Sequence, residues 1–207
     1  STEISLEKQG LFYVAWLLCL AGLLGILATG DAFNVFVFLE ISSLSTYTLI
    51  SLGPNRKSLW AAFRYLIMGT IGATFILIGI GLMYIMTGTL NMQDLALRLP
   101  SAGESSTVFA AYAFILVGIS LKLALFPLHL WLPNAYSQAP SIVTSFLAAS
   151  ATKVALYLLI RFTYTIFPSE FSQFVVPLAD IFVALGVLAV FSASIVAIYQ
   201  EEIKRAI

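Results

Sequence analysis

Charge is scarce in this chain. Only 10% of its 207 residues are Asp, Glu, Lys or Arg, and the acids and bases cancel to a formal net charge of zero. Soluble domains carry about 25% charged residues, so this composition excludes one. With no basic excess there is no electrostatic footprint for nucleic acid. Cysteine is almost missing. Cys19 stands alone, which excludes an internal disulfide and any cysteine cluster for zinc or iron–sulfur binding. Set in an apolar run, it reads as a small packing residue. Neither a metal set nor a cofactor motif is legible. The opening stretch "STEISLEKQG" is polar and acid-bearing, unlike a signal peptide. The chain starts at Ser1 rather than Met, and "EEIKRAI" follows directly on an apolar span. Both ends read as cut, as in a fragment or a split subunit.

What the chain has instead is apolar length. It is 60% hydrophobic with a mean hydropathy of +1.00, the profile of an integral membrane protein. About 20 apolar residues cross a bilayer as a helix, and six such stretches can be drawn, at 10–29, 32–52, 59–87, 107–126, 141–164 and 174–199. The third is long enough to tilt or to extend beyond the hydrocarbon. After it, "GTLNMQDLALRLPSAGESS" is polar and predicts a short interfacial helix. Arg56 and Lys57 follow the second span, and Lys204 and Arg205 the sixth. Alternating spans put those ends on one side, which the positive-inside bias makes cytoplasmic. The 88–107 connection, with Asp94, Arg98 and Glu104, and the 165–173 connection, with Glu170, then face outward. The predicted fold class is all-α and polytopic, in a prokaryotic inner or plasma membrane, with about six transmembrane helices, one of them broken by proline. No internal repeat is legible across the six.

Charges at membrane depth need a reason, because each costs at least about 2.5–3.5 kcal/mol on insertion scales. Three stand out. At about 1.5 Å per residue, Glu40 lies roughly 12 Å in from the outer side, Lys122 roughly 22 Å from the same side, and Lys153 roughly 18 Å from the cytoplasmic side. Burial favours a neutral amine, and a nearby carboxylate favours the ammonium. At about 4 Å and an effective dielectric near 20, that attraction is roughly 4 kcal/mol. Parting Glu40 from Lys122 would therefore release the lysine's proton. The cost of two unpaired intramembrane charges predicts that Glu40 and Lys122 sit on facing helices, in direct or one-water contact. The plainer reading is a Glu–Lys pair that only glues helices, but such a pair needs no second lysine.

The stretch "LKLALFPLHLWLPNAYSQAP", residues 121–140, sets helix breakers beside Lys122. Pro127 cannot donate an N–H and crowds the carbonyl four residues back, at Leu123. Pro133 does the same at His129, and Pro140 at Tyr136. Broken backbone at membrane depth is tolerated only where protein or water satisfies it, so a hydrated pocket beside Lys122 is expected. His129 titrates near neutral pH and lies beyond the break, towards Lys153. It reads either as a relay group or as a satisfied structural histidine. Lys153, Tyr157 and Arg161 share one helix face. Tyr157 is a candidate auxiliary, and Arg161 is expected to snorkel towards the outer surface. Arg64, one and a half turns inside the third span, is expected to snorkel as well, with an auxiliary proton role as the alternative. Asp31 reads as an N-cap. Asp180 reads as interfacial, with a proton role as the alternative. The aromatics, "FNVFVF" included, read as packing and lipid contacts.

Two segments, "GDAFNVFVFLEISSLSTYTLISLG" and "LKLALFPLHLWLPNAYSQAPSIVTSFLAASATKVALYLLIRF", resemble the proton-translocating antiporter-like family. Its members are the large membrane subunits of respiratory complex I, Mrp-type sodium/proton antiporters and membrane-bound hydrogenases. "MTGTLNMQDLA" is most similar to the Mrp D-type and archaeal hydrogenase branch. The resemblance implies a longer subunit of two inverted five-helix repeats, each with a broken helix. Residues 1–173 would form the first repeat, broken near 122–140, and 174–207 would begin a second, truncated one. It implies that Glu40, of "FLE", pairs with Lys122, that Lys153 links the channel to a central hydrophilic axis, and that His129 is the histidine of "PLHLWLP". Pro127 and Pro133 mark the helix break. The expected function is proton movement through Glu40, Lys122, His129 and Lys153 in a multisubunit complex, driven by redox chemistry in other subunits. The alternatives are an Mrp-type sodium/proton antiporter subunit and a non-pumping membrane scaffold. Expected partners are other membrane subunits, the bilayer, protons and, in the alternative, sodium. No cofactor, metal or nucleic acid is expected on this chain.

Overall fold

The structure is a computed structural model that describes residues 4–102, 105–167 and 177–200. Every described element is helical apart from one isolated bridge. That follows from the solvent, since hydrocarbon offers no partners and each backbone amide must be satisfied within its own segment. The helices are α1 (Gln9–Ala28), α2 (Ala32–Ser51), α3 (Arg56–Thr87), α4 (Met92–Arg98), α5 (Ser106–Leu123), α6 (Leu132–Gln138), α7 (Ser141–Arg161) and α8 (Leu178–Ile198). Six helical stretches are long and apolar enough to cross a membrane: α1 with its preceding turn, α2, α3, α5, α7 with the turn that continues it, and α8. The chain is a multi-pass membrane protein.

The spans depart from expectation at their ends. α3 starts at Arg56, three residues earlier than the apolar run. α7 runs into a π-turn, Phe162–Ile166. α4 is the expected short helix, capped by the Asn91 side chain, which accepts from the Gln93 and Asp94 amides. Asp31 is an N-cap as expected, accepting from the Asn34 amide at 2.9 Å. Residues 174–176 of the expected sixth span, and Glu104, Glu170, Lys204 and Arg205, lie outside the described residues.

Small residues let the helices approach closely, as membrane packing favours. A Cβ on Gly118 of α5 would stand 2.6 Å from the Gly72 carbonyl oxygen and 2.9 Å from the Ile76 amide nitrogen of α3. A Cβ on Gly22 of α1 would meet the Ser42 amide nitrogen of α2 at 2.7 Å. α7 closes the bundle against α5 and α1, with Trp16 and Phe146 rings 4.2 Å apart. At one end, the α1–α2 turn pairs with the α3–α4 turn through two bonds of 2.8 Å, from Ala32 to Leu90 and from Met92 to Gly30. Arg98 binds Asp94 through two nitrogens and also donates to the Thr87 carbonyl at 3.0 Å, covering the end of α3. α8 differs from the rest: Leu178 is its only buried residue.

Candidate functional site

α5 stops at Leu123, one residue after Lys122. Ala124 turns into the left-handed region at φ 56°. The Ala124 amide then donates to the Leu121 carbonyl at 3.3 Å, and the Leu125 amide to the Ser120 carbonyl at 2.9 Å. This paired closure is the usual left-handed end of a helix, here without glycine. The Phe126–Pro127 bond is cis. Turns carry the chain to α6, and Pro140 separates α6 from α7.

The expected break is therefore present, but its loose carbonyls are fewer than the prolines suggested. The His129 carbonyl accepts from the Leu132 amide at 2.9 Å, and the Tyr136 carbonyl from the Thr144 hydroxyl at 2.8 Å. Pro133 falls in the first turn of α6, where its missing N–H costs nothing, so it starts a helix instead of breaking one. An indole fixes the segment in place. Trp131 is 5% exposed, donates to the Leu121 carbonyl at 3.2 Å, and stacks on Tyr65 with ring centroids 4.4 Å apart. Tyr65 in turn meets Tyr47 edge-on at 5.0 Å.

Lys122 reaches from the last turn of α5 to α2. Its ammonium donates to Ser43 Oγ at 2.7 Å. A direct Glu40–Lys122 ion pair does not form; Asp94–Arg98 is the ion pair found among the described residues. The ammonium's partner lies one helical turn along α2. Glu40 and Ser43 are i, i+3 on α2 and share a face, and the ammonium meets the hydroxyl. Glu40 remains within electrostatic reach of Lys122. One of its carboxylate oxygens, Oε1, is buried with no hydrogen-bond partner.

Lys122 and Ser43 line a cavity of about 40 Å³, together with Ser42, Thr46, Trp131 and Thr152. A water needs about 10–15 Å³ of such space and several polar partners. The cavity thus has room for on the order of three waters, with hydroxyls to hold them. It is the pocket that the break predicted beside Lys122.

The other expected residues do not converge there. Lys153 is exposed, and its ammonium turns back to the Ala148 carbonyl of its own helix. The buried stripe of α7 runs through Val143, Leu147, Val154 and Leu158. Lys153 precedes Val154 by one residue, about 100° around the helix, and so leaves the stripe. Lys153 does not line the Lys122 cavity. His129 packs its ring on Phe126 at 5.3 Å, and its Nδ1 is buried without a partner. No hydrogen bond links it to either lysine among the described residues. Tyr157 carries the Arg161 guanidinium over its ring at 5.7 Å. Arg161 does not fully snorkel, since its Nη1 is buried and unpartnered. Arg64 is exposed in a groove between α3 and α6, away from the cavity.

The family model for the transmembrane region of NADH:quinone oxidoreductase and Mrp antiporter subunits matches residues 29–207. The chain belongs to that family. Antiporter-like relatives of two kinds match it. NADH-quinone oxidoreductase subunit N of Desulforudis audaxviator is 49% identical over 199 residues, covering 96% of this chain and 39% of that protein. The D-type Na(+)/H(+) antiporter protein of Bacillus subtilis is 31% identical over 200 residues, covering 94% and 41%. Among solved structures, a chain of the membrane-bound sulfane sulfur reductase, an archaeal respiratory membrane complex, superposes with a TM-score of 0.84 at 36% identity, covering 93% of this chain and 39% of that one. The chain thus spans about two-fifths of the length of these antiporter-like relatives.

Sequence reading of this antiporter-like chain missed Ser43, Tyr65 and Trp131. Ser43 follows Glu40 by three positions in "FLEISSLS", so helical spacing held the signal. Nothing local marks Tyr65 as the stacking partner of Trp131, which is 66 positions away.

Proposed function

We propose that this chain is part of a longer proton-moving membrane subunit, with Lys122 as the group that holds and releases the proton. The observation that carries the reading is the Lys122 ammonium, bonded to Ser43 on the wall of a water-sized cavity where a membrane helix breaks. An ammonium on a neutral hydroxyl is held without a full counter-charge. Glu40, with one oxygen unpartnered a turn away, can draw the ammonium towards itself or let it return to Ser43. Movement between those partners changes the stability of the charged form, and cavity water can take the proton. His129 and Lys153 would extend the path only after reorienting, or through parts of the subunit beyond this chain. Residues 1–173 form one repeat in this reading and 174–207 begin another; the well-packed α1–α7 and the nearly unburied α8 support that division.

We take redox chemistry in partner subunits as the driving force, because the 49% relative belongs to an NADH-quinone oxidoreductase. Sodium/proton exchange is the second reading, favoured by the Bacillus subtilis antiporter relative. The test is proton flux in vesicles holding the assembled complex. Lys122→Met and Glu40→Ala are expected to abolish it and Glu40→Asp to retain part, with assembly intact. Unchanged flux in Lys122→Met would leave a scaffold role. Flux that follows a sodium gradient and ignores quinone reduction would select the antiporter.

A further inference from the structure

We propose that the groove between the start of α3 and α6 binds an anionic phospholipid of the cytoplasmic leaflet. Three adjoining depressions make up this groove. The first, about 500 Å³, is lined by Arg56, Lys57 and Gln138 among others. The second, about 310 Å³, shares Lys57 and Gln138 with it and adds Trp60 and Arg64. The third, about 400 Å³, shares Trp60 and Arg64 and continues over Ile67, Met68 and Leu130. Arg56, Lys57 and Arg64 are all exposed, and no described carboxylate pairs with them. Lys57, Trp60 and Arg64 fall at i, i+3 and i+7, on one face of α3.

The order of chemistry along the groove identifies the occupant. Arg56, Lys57 and an amide stand at one end, an indole and Arg64 in the middle, and an open apolar channel at the other. Trp60 is 62% exposed and stacks with Phe63 at 5.7 Å, while Leu130 is 68% exposed. Arg56 and Arg64 are eight residues apart, about 12 Å along the helix. A phosphate would sit among the cations, where arginine can bind it through two nitrogens. The indole marks the headgroup level, and an acyl chain would run past Ile67 to Leu130. A free phosphate would leave the apolar end without a purpose. The positive-inside bias puts this end on the cytoplasmic side, whose leaflet carries anionic lipid.

The test uses the assembled complex, titrated with phosphatidylglycerol or phosphatidylcholine and read by native mass spectrometry. Phosphatidylglycerol is expected to be retained in preference, and each of Arg56→Gln, Lys57→Gln and Arg64→Gln to weaken it about fivefold. Phosphatidylcholine retention should stay level, and added inorganic phosphate should not displace the lipid. Leu130→Gln, which leaves the cations intact, should lower lipid retention without creating a response to phosphate. A photo-crosslinker in place of Trp60 should capture lipid. No preference for phosphatidylglycerol in the unaltered complex, displacement by inorganic phosphate, or capture of a neighbouring polypeptide at position 60 would each overturn the proposal.

Discussion

Lys122 and Lys153 look alike in the sequence, as single cations deep inside apolar helices, but the structure treats them differently. Lys122 crosses to a neighbouring helix, finds a hydroxyl and borders a cavity. Lys153 bends back to a carbonyl of its own helix on an exposed face. The difference lies in the backbone around each. α5 ends beside Lys122 and opens space next to it, whereas α7 continues unbroken past Lys153 and offers only its own surface. In the proposed mechanism, the interruption next to a cation matters more than its depth.

That contrast can be broken by mutation. Lys122→Met should have the largest effect, a loss of about a hundredfold in proton flux, the size expected when a proton-transfer group is removed. A vesicle assay reads it, and near-normal flux would erase the distinction between the lysines. Ser43→Ala comes next. It removes the acceptor of a charged hydrogen bond, for which about 1.5–3 kcal/mol is usual, so flux should fall about tenfold or more while assembly holds. Pro127→Ala should let α5 continue and narrow the cavity. Flux should fall by several-fold. Full flux with a continuous helix would detach the break from the mechanism. Lys153→Met should have the smallest effect, about threefold or less, since it removes only a bond within its own helix on an exposed face. An effect equal to that of Lys122→Met would mean that Lys153 joins the path in the longer subunit. Separately from flux, Gly118→Ala should lower the melting temperature of the complex, at a cost of about 1–3 kcal/mol. The colliding atoms on α3 are backbone and cannot swing aside.

Much of the fold was legible because the membrane narrows the choices. Apolar length found the six spans, Asp31 showed itself as a cap, and "NMQDLALR" announced a short helix. The position of the break was legible from Pro127 and its neighbours. The partners were not. Which carbonyls stay unpaired depends on long-range donors such as Thr144 and Trp131, and local proline rules do not contain them. The pairing of Lys122 with Ser43 turns on a displacement of one turn between two helices, below what charge counting can resolve. That Lys153 leaves the buried stripe of α7 was not legible for a similar reason. Helical spacing put it on a face with Tyr157 and Arg161, but which face turns inward is decided by the small and branched residues that pack against α5 and α1.

The stacking of Trp131 on Tyr65 gives the break an optical signature. The chain has three tryptophans, and Trp16 and Trp60 sit far from the break in sequence. With those two replaced by phenylalanine, the remaining tryptophan emission of these 207 residues would come from the indole whose N–H is bonded to Leu121. Any rearrangement that pulls the 126–131 turns away from both α5 and α3 must break that bond and unstack the ring, exposing it to a different polarity. Taken as the difference from the same complex carrying Trp131→Phe, the emission of Trp131 would then track the opening and closing of the segment in real time.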